Sequence, residues 1–439
     1  MRERFFELCD HGAARLRDGE VLLAHFAGEE SDFVRFNHAR IRQAMTIRQA
    51  YLTLTLIDGQ RRDSLTLTIS DGSSEDRARV ERALAELRQS LAGLTEDPYL
   101  LYSREPASSE RVERGHLPEP AEALDAILSA AGHSDLVGIY ACGPIFRGFA
   151  SSLGHRHWHE VGSMQLDWSL YHATDKAVSR SYSTANFERP ELESKILDAQ
   201  SALVHLAKAP KTIEPGGYRA YLSPAAVAEL VSMLNWGGLS EQAQRTKASS
   251  LQKLVDGEAR LSEKFTLLEH TAAGLAPSFD EVGFSKPASV ALIREGKHVG
   301  SLIGPRTAKE FGLTANADGD ETLHSAEIAA GALASADALA ALDTGVYIGN
   351  LWYLNYSDRT SARITGMTRF ATFWVEKGQI VAPLNVMRFD DSLYRILGEN
   401  LLDLTREREL LLSNASYGGR SVETNLLPGA LLRELTFTL

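Results

Sequence analysis

Cysteine is nearly absent. Two residues in 439, Cys9 and Cys142, can build neither a disulfide framework nor a four-thiolate metal site. Long apolar runs are missing too. The most apolar helix-like stretch, residues 326–342, is interrupted by Glu327 and Asp337 and is too short to span a bilayer. The opening MRERFFELCDHGAARLRDGE has no apolar core and no small-residue cleavage site, so it does not read as a secretory signal. Positive charge is in deficit: 46 Lys and Arg stand against 58 Asp and Glu, a formal net charge of −12. That balance argues against a general nucleic-acid binder, which shows a basic face. There is no G-x-S-x-G nucleophile elbow. GGYRAY, LIGPR and SYGGRS are turns without the spacing of a phosphate loop. What remains is ordinary for a soluble globular chain, with 44% hydrophobic and 24% charged residues. The expectation is a soluble, cytoplasmic protein with no nucleic-acid or membrane partner. At roughly 150 residues per domain, the length allows two or three domains.

Residues 3–27 have helical spacing, with Phe6, Ala13, Leu16, Val21, Leu22 and Phe26 at intervals of three to five. A strand-rich block follows. Leu52, Leu54 and Leu56 alternate with Thr53 and Thr55, and after Asp58-Gly59 the alternation resumes in Leu65, Leu67 and Ile69, a hairpin signal. A helix is expected over 75–93 with Ser74 as N-cap and Gly93 at its end. Residues 94–120, with Pro98, Pro106, Pro118 and Pro120, read as loop. A helix over 120–132 precedes strands in LVGIYACG, FRGFASSLG and HRHWHEVGSMQLDWSLYH, and 190–208 is an amphipathic helix. KAPKTIEPGG, 208–217, is the best boundary, because its prolines and Gly216-Gly217 stop helix and sheet alike. Beyond it, Ser223 caps a helix with Pro224 in its first turn. Further helices are expected at 240–255, 325–341 and near 391–400 among strands. The elements do not alternate as β-α-β, so the expected class is α+β in two domains, 1–209 and 210–439, the second β-rich and barrel-like.

Two clusters carry candidate chemistry. His155, His157 and His159, followed by Glu160, form H-x-H-x-H-E, and on a strand the three imidazoles share one face. They are the chain's one candidate metal set, although residues spaced about 7 Å apart along a strand rarely close a compact site. The stretch 347–356 sets Tyr347, Trp352, Tyr353 and Tyr356 around Asn350 and Asn355, with Arg359, Arg363 and Arg369 nearby. An exposed edge here could accept an extended peptide through Asn350, Tyr353, Asn355 and Arg363. A core or interface strand is the plainer account.

Three segments in order resemble the TldD/PmbA family, whose PmbA branch is also called TldE. They are VRFNHARIRQA with the hairpin and helix after it, the helix from Pro224 to Trp236, and GVYIGNLWYLNYSDRTSARITGMTRFATFWVEKGQIVAPL at 345–384, with its "TG" turn and W-x-E-x-G-x-I-x-x-P passage. The resemblance implies an amino-terminal α/β domain and a β-rich carboxy-terminal domain. It also implies one of two roles. TldD-type members are zinc peptidases for unfolded peptides, with His-Glu-x-x-x-His on a helix and a later Cys. PmbA-type members lack that set and pair with a TldD-type subunit. The pair is linked to maturation of a peptide antibiotic, to antitoxin turnover and, in older naming, to modulation of DNA gyrase.

Placed on this sequence, the helix motif reads Ala228-Glu229-Leu230-Val231-Ser232-Met233. Glu229 matches the Glu, while Ala228 and Met233 occupy the His positions. The Cys-Gly stretch corresponds to Ser416-Tyr417-Gly418-Gly419, and no Cys follows Cys142. A peptidase zinc needs about three protein ligands and an open position for water, and without it Glu229 has only unassisted water to activate. The resemblance therefore implies a PmbA-type, non-catalytic subunit without its own metal. Zinc would sit in a TldD-type partner, the substrate would be unfolded peptide, and a homodimer is the other assembly implied. Glu229 is then vestigial, or a solvated helical Glu favoured by the helix dipole. Two alternatives stay open: a metallopeptidase with relocated ligands at His155, His157 and His159, or a peptide-binding regulator.

Overall fold

The apolar stripe that opens the chain changes period at Gly19, whose φ of +84° turns the backbone. The computed structural model describes residues 1–438 apart from 71–72 and 174–175. Helix α1, Arg2–Ala13, buries Phe5, Leu8 and Cys9. Strand β1, Glu20–Asn37, then takes over, so the helix expected over 3–27 is half its length. Leu22, Ala24 and Phe26 stand opposite Leu56, Leu54 and Leu52 of β2, Arg40–Asp58. Leu22 and Phe26, four apart, fit a helical period as well as alternation, and pairing with β2 decides for the strand. β3, Arg61–Thr68, completes the hairpin. α2, Ser73–Leu91, begins before Ser74, which lies in its first turn rather than at its cap.

The stretch 94–120 is not all loop. β4, Ser108–Glu113, pairs in parallel with β6, Arg156–Ala173. Its SSERVE pattern has no apolar face, so only the distant pairing reveals it. α3, Pro120–Ala131, leads into β5, Asp135–Ser151, one continuous strand rather than two. β7, Lys176–Thr184, and α4, Arg189–Leu206, complete this half. The seven strands run β3-β2-β1-β5-β6-β4, with β7 also on β6. All pairs but β4–β6 are antiparallel. α3 and α4 cover one face, burying Tyr140, Leu166, Trp168 and Leu170 with Ile127 and Ile196.

The second half contains β8, Gly216–Leu222; α5, Pro224–Asn235; α6, Glu241–Arg245; α7, Gln252–Val255; β9, Leu267–Glu269; β10, Val290–Arg294; β11, Lys297–His298; α8, Pro305–Phe311; β12, Ser325–Ile328; and α9, Ala338–Leu342. β13, Gly345–Asp358; β14, Arg363–Glu376; β15, Gln379–Pro383; β16, Arg388–Ser392; β17, Leu401–Leu412; and β18, Thr424–Phe437, follow. Pairing of β8 with both β13 and β18 closes β18-β16-β14-β13-β8 into a ring within an eleven-stranded sheet. The class is α+β. Three expected helices are altered. The one over 240–255 splits at Lys247, φ +59°. Residues 325–328 form β12 between β9 and β18, because pairing overrides alanine's helix propensity. Only 335–342 is helical there. Around 391–400, β16 gives way to a single wide turn at 395–399.

Candidate functional site

Helix α5 forms as its sequence dictates. The Ser223 hydroxyl accepts from the Ala226 N–H at 3.3 Å and donates to Gly349 O at 2.6 Å, while Pro224 sits in the first turn. The helix packs against β13 and β18 through Val227, Leu230, Val231 and Leu234. Met233 is 3% exposed and spent on this core. Ala228 has no donor atom at all. Glu229 is half-buried, with no hydrogen-bond or ion-pair partner among the described residues, and burial pushes its carboxyl above the usual range. The side chains at this position do not fit a zinc ion.

The loop between β17 and β18 reaches the other half of the molecule. Gly418 O accepts from Gln49 Nε2 at 3.0 Å, and Tyr417 points into solvent. Ser416 lines a cavity of about 450 Å³ between this loop and the seven-stranded sheet, and no α5 residue takes part in that lining. Arg420 anchors the loop. Its Nη1 donates to Gly143 O at 3.0 Å, and its Nη2 to Ser163 O at 2.9 Å and Ser163 Oγ at 2.6 Å. The guanidinium enters where the β1–β5 ladder is interrupted. Pairing jumps from Glu29↔Ile145 to Asp32↔Cys142, leaving Gly143-Pro144 without partners on the β1 side while both stay paired with β6, as a proline inside a strand requires.

The histidine row lies buried on one face of β6, each residue 1% exposed. Both ring nitrogens of His155 are engaged, by Ser151 Oγ at 2.7 Å and Ser103 Oγ at 3.0 Å. His157 Nδ1 meets Ser109 Oγ at 2.7 Å, and its ring lies 5.0 Å from that of Phe279. His159 Nε2 donates to Leu275 O at 2.9 Å. Burial holds His157 and His159 down to about 4. Glu160 accepts from Arg114 Nε at 2.6 Å. Among the described residues no group of three or more His, Cys, Asp or Glu is placed to hold a metal ion. His157 Nε2 and His159 Nδ1 are nonetheless buried without partners.

Asn350, Tyr353 and Asn355 lie on β13 and Arg363 at the start of β14. β8 covers β13 only over 346–348, which leaves the outer edge of 350–358 without a strand among the described residues. Tyr353 is 74% exposed with a φ of +59°, and Asn350 Oδ1 is buried without a partner among the described residues. Arg363 forms an ion pair with Asp390, so its charge is already matched. Arg369 lies 4.4 Å above the Trp352 ring, and Arg359 donates to Trp236 O at 2.8 Å. Arg420 and the cavity escaped the sequence reading. The SYGGRS turn was the one visible signal, and the residues it meets lie more than 250 positions away.

The family description PmbA/TldA metallopeptidase C-terminal domain matches residues 215–438, just over half the chain. No curated protein sequence matches. Three solved structures share the fold from end to end. TldE of Thermococcus kodakarensis is 14% identical with a TM-score of 0.76, covering 99% of this chain and 100% of its own. A protein described as a modulator of a DNA gyrase from Thermotoga maritima is 12% identical at 0.75, covering 99% and 100%. A similarly described protein from Bacteroides thetaiotaomicron is 14% identical at 0.73, covering 99% and 98%. Among the described residues no helix is long and apolar enough to cross a membrane.

Proposed function

The chain belongs to the PmbA/TldD metallopeptidase family, and from that premise we propose that it is a PmbA/TldE-type subunit without a peptidase centre of its own. It pairs with a TldD-type zinc subunit, and together they process or degrade unfolded peptides in the cytoplasm. Residues 1–209 and 210–439 are its two domains, and Asn350, Tyr353 and Asn355 on the uncovered edge of β13 meet the peptide. The observation that carries this reading is the donor set on α5. Ala228 and Met233 stand where imidazoles belong, and Glu229 alone cannot ionise a water at neutral pH. Zinc content and cleavage of an unstructured peptide are to be measured for this chain alone, for a TldD-type subunit alone and for the mixture. The expected result is cleavage and stoichiometric zinc only where the TldD-type subunit is present, with the two chains co-eluting. Robust cleavage with bound zinc by the lone chain overturns the proposal.

A further inference from the structure

The cavity beneath the β17–β18 loop has a built chemistry. Its floor is the sheet face opposite α3 and α4. Register places Val137, Ile139 and Ala141 of β5 beside Ser169, Asp167 and Gln165 of β6, and places Ile139 and Ala141 beside Arg35 and Phe33 of β1. Residues alternate between faces along a strand, so these side chains share one surface. That surface is apolar at its centre, where Ile139, 42% exposed, adjoins Phe33, Val137 and Ala141, a contiguous patch rather than a lone aliphatic residue.

The polar groups are unevenly matched. Arg420 is 6% exposed, lines the cavity and forms no ion pair among the described residues. Its Nη1 is held by Gly143 O and Ser31 Oγ and its Nη2 by Ser163, and its Nε is buried without an acceptor among the described residues. Arg35, at the rim, has no hydrogen-bond or ion-pair partner among the described residues. Among the lining residues one carboxyl, Asp167, stands against these two cations, and its Oδ2 accepts from Gln165 Nε2 at 2.6 Å; behind the lining, buried Glu29 accepts from Ser31 Oγ and offsets part of the Arg420 charge. A chain of net charge −12 therefore carries a cavity whose lining is cationic, with the exposed Arg35 guanidinium unmatched among the described residues. A guanidinium without a partner takes an anionic acceptor best.

Resting on the functional reading above, we propose that this cavity binds the carboxyl-terminal end of a short peptide. The terminal carboxylate lies against Arg35, on the side facing Arg420, and an apolar last side chain rests on Phe33, Val137 and Ile139. Asp167 keeps one oxygen free to accept a peptide N–H, and it repels a second negative charge, which disfavours phosphate or a dicarboxylate. The volume of about 450 Å³ falls in the range of small-ligand sites and holds roughly two or three residues. Ser413, Asn414 and Ser416 of the loop close over them.

The test titrates the full chain calorimetrically with N-acetyl-Ala-Leu as the free acid and as its carboxamide. The acid is expected to bind roughly ten- to a hundredfold more tightly, the worth of a charge-assisted hydrogen bond to a guanidinium. Arg35→Gln, at an exposed position that tolerates change, is expected to bring the acid down to the carboxamide's affinity. Ile139→Ser is expected to weaken both. Equal affinity for acid and carboxamide, binding of neither, or no effect of Arg35→Gln overturns the assignment. The two readings fail separately. Acid binding by a chain that forms no complex with a TldD-type subunit upholds the cavity and removes the functional reading. A complex without acid binding overturns the cavity alone.

Discussion

Glu229 shows how one side chain can look like a site and carry a cost instead. It is half-buried on α5 with no hydrogen-bond or ion-pair partner among the described residues, and burial raises its pKa. The folded state therefore holds a proton that the unfolded chain releases above its ordinary pKa. In that range this residue subtracts from stability as pH rises. Replacing it by glutamine keeps the shape and removes the charge. Glu229→Gln is expected to leave the denaturant midpoint at pH 7 unchanged or raised, with the gain vanishing near pH 4. A clear loss of stability at pH 7 would mean that the carboxylate has a partner. Peptide cleavage by the complex with a TldD-type subunit is expected to persist, since without imidazoles at 228 and 233 the residue has no bound water to deprotonate.

At the scale of elements, β6 and the 318–324 loop set opposite pH limits. His157 and His159 remain neutral in the fold down to about pH 4, while the unfolded chain takes up their protons near 6.5. Their contribution is present above that value and is lost as pH falls toward 4, on the order of 3 kcal/mol each. His324 behaves oppositely. Burial alone would lower it, but Asp318 at 2.9 Å from Nδ1 and Asp320 at 3.4 Å from Nε2 overrule burial and push it up to about 10. Its contribution is complete below about 6.5 and fades as pH rises toward 10. Denaturant midpoints across pH should peak near neutrality. His159→Gln, which can still donate to Leu275 O, should flatten the acid limb, and His324→Gln the alkaline one. Limbs unchanged in both variants refute the assignment. The same elements show what a sequence reveals. The α5 cap, the β2–β3 hairpin and the histidine face were legible, because residues a few positions apart decide them. β1, β4 and β12 were not, since each owes its conformation to a strand far away in the chain. Nor were Arg420 and its cavity, for which a loop near the carboxy terminus must meet a break in the β1–β5 ladder.

At the scale of the whole molecule, the two sheets share core and loops rather than merely touching. Phe373, 1% exposed, and Ala371 come from β14 but pack among Ile196, Ala199 and Tyr182 of the first half. Phe279 and the Leu275 carbonyl cover the histidine row from the other side. Lys195 pairs with Glu409 at 2.9 Å, and Arg420 is threaded into the first sheet. Neither half can unfold without exposing the other's apolar surface and stranding buried polar groups, so the two sheets, β1–β7 and β8–β18, are separate in architecture without being separate in stability. Phe373→Ala is expected to cost about 3–5 kcal/mol while preserving one cooperative transition, coincident by near-ultraviolet and far-ultraviolet circular dichroism. If the halves were independent, the same change would split the curve, lowering the midpoint of one step and leaving the other in place.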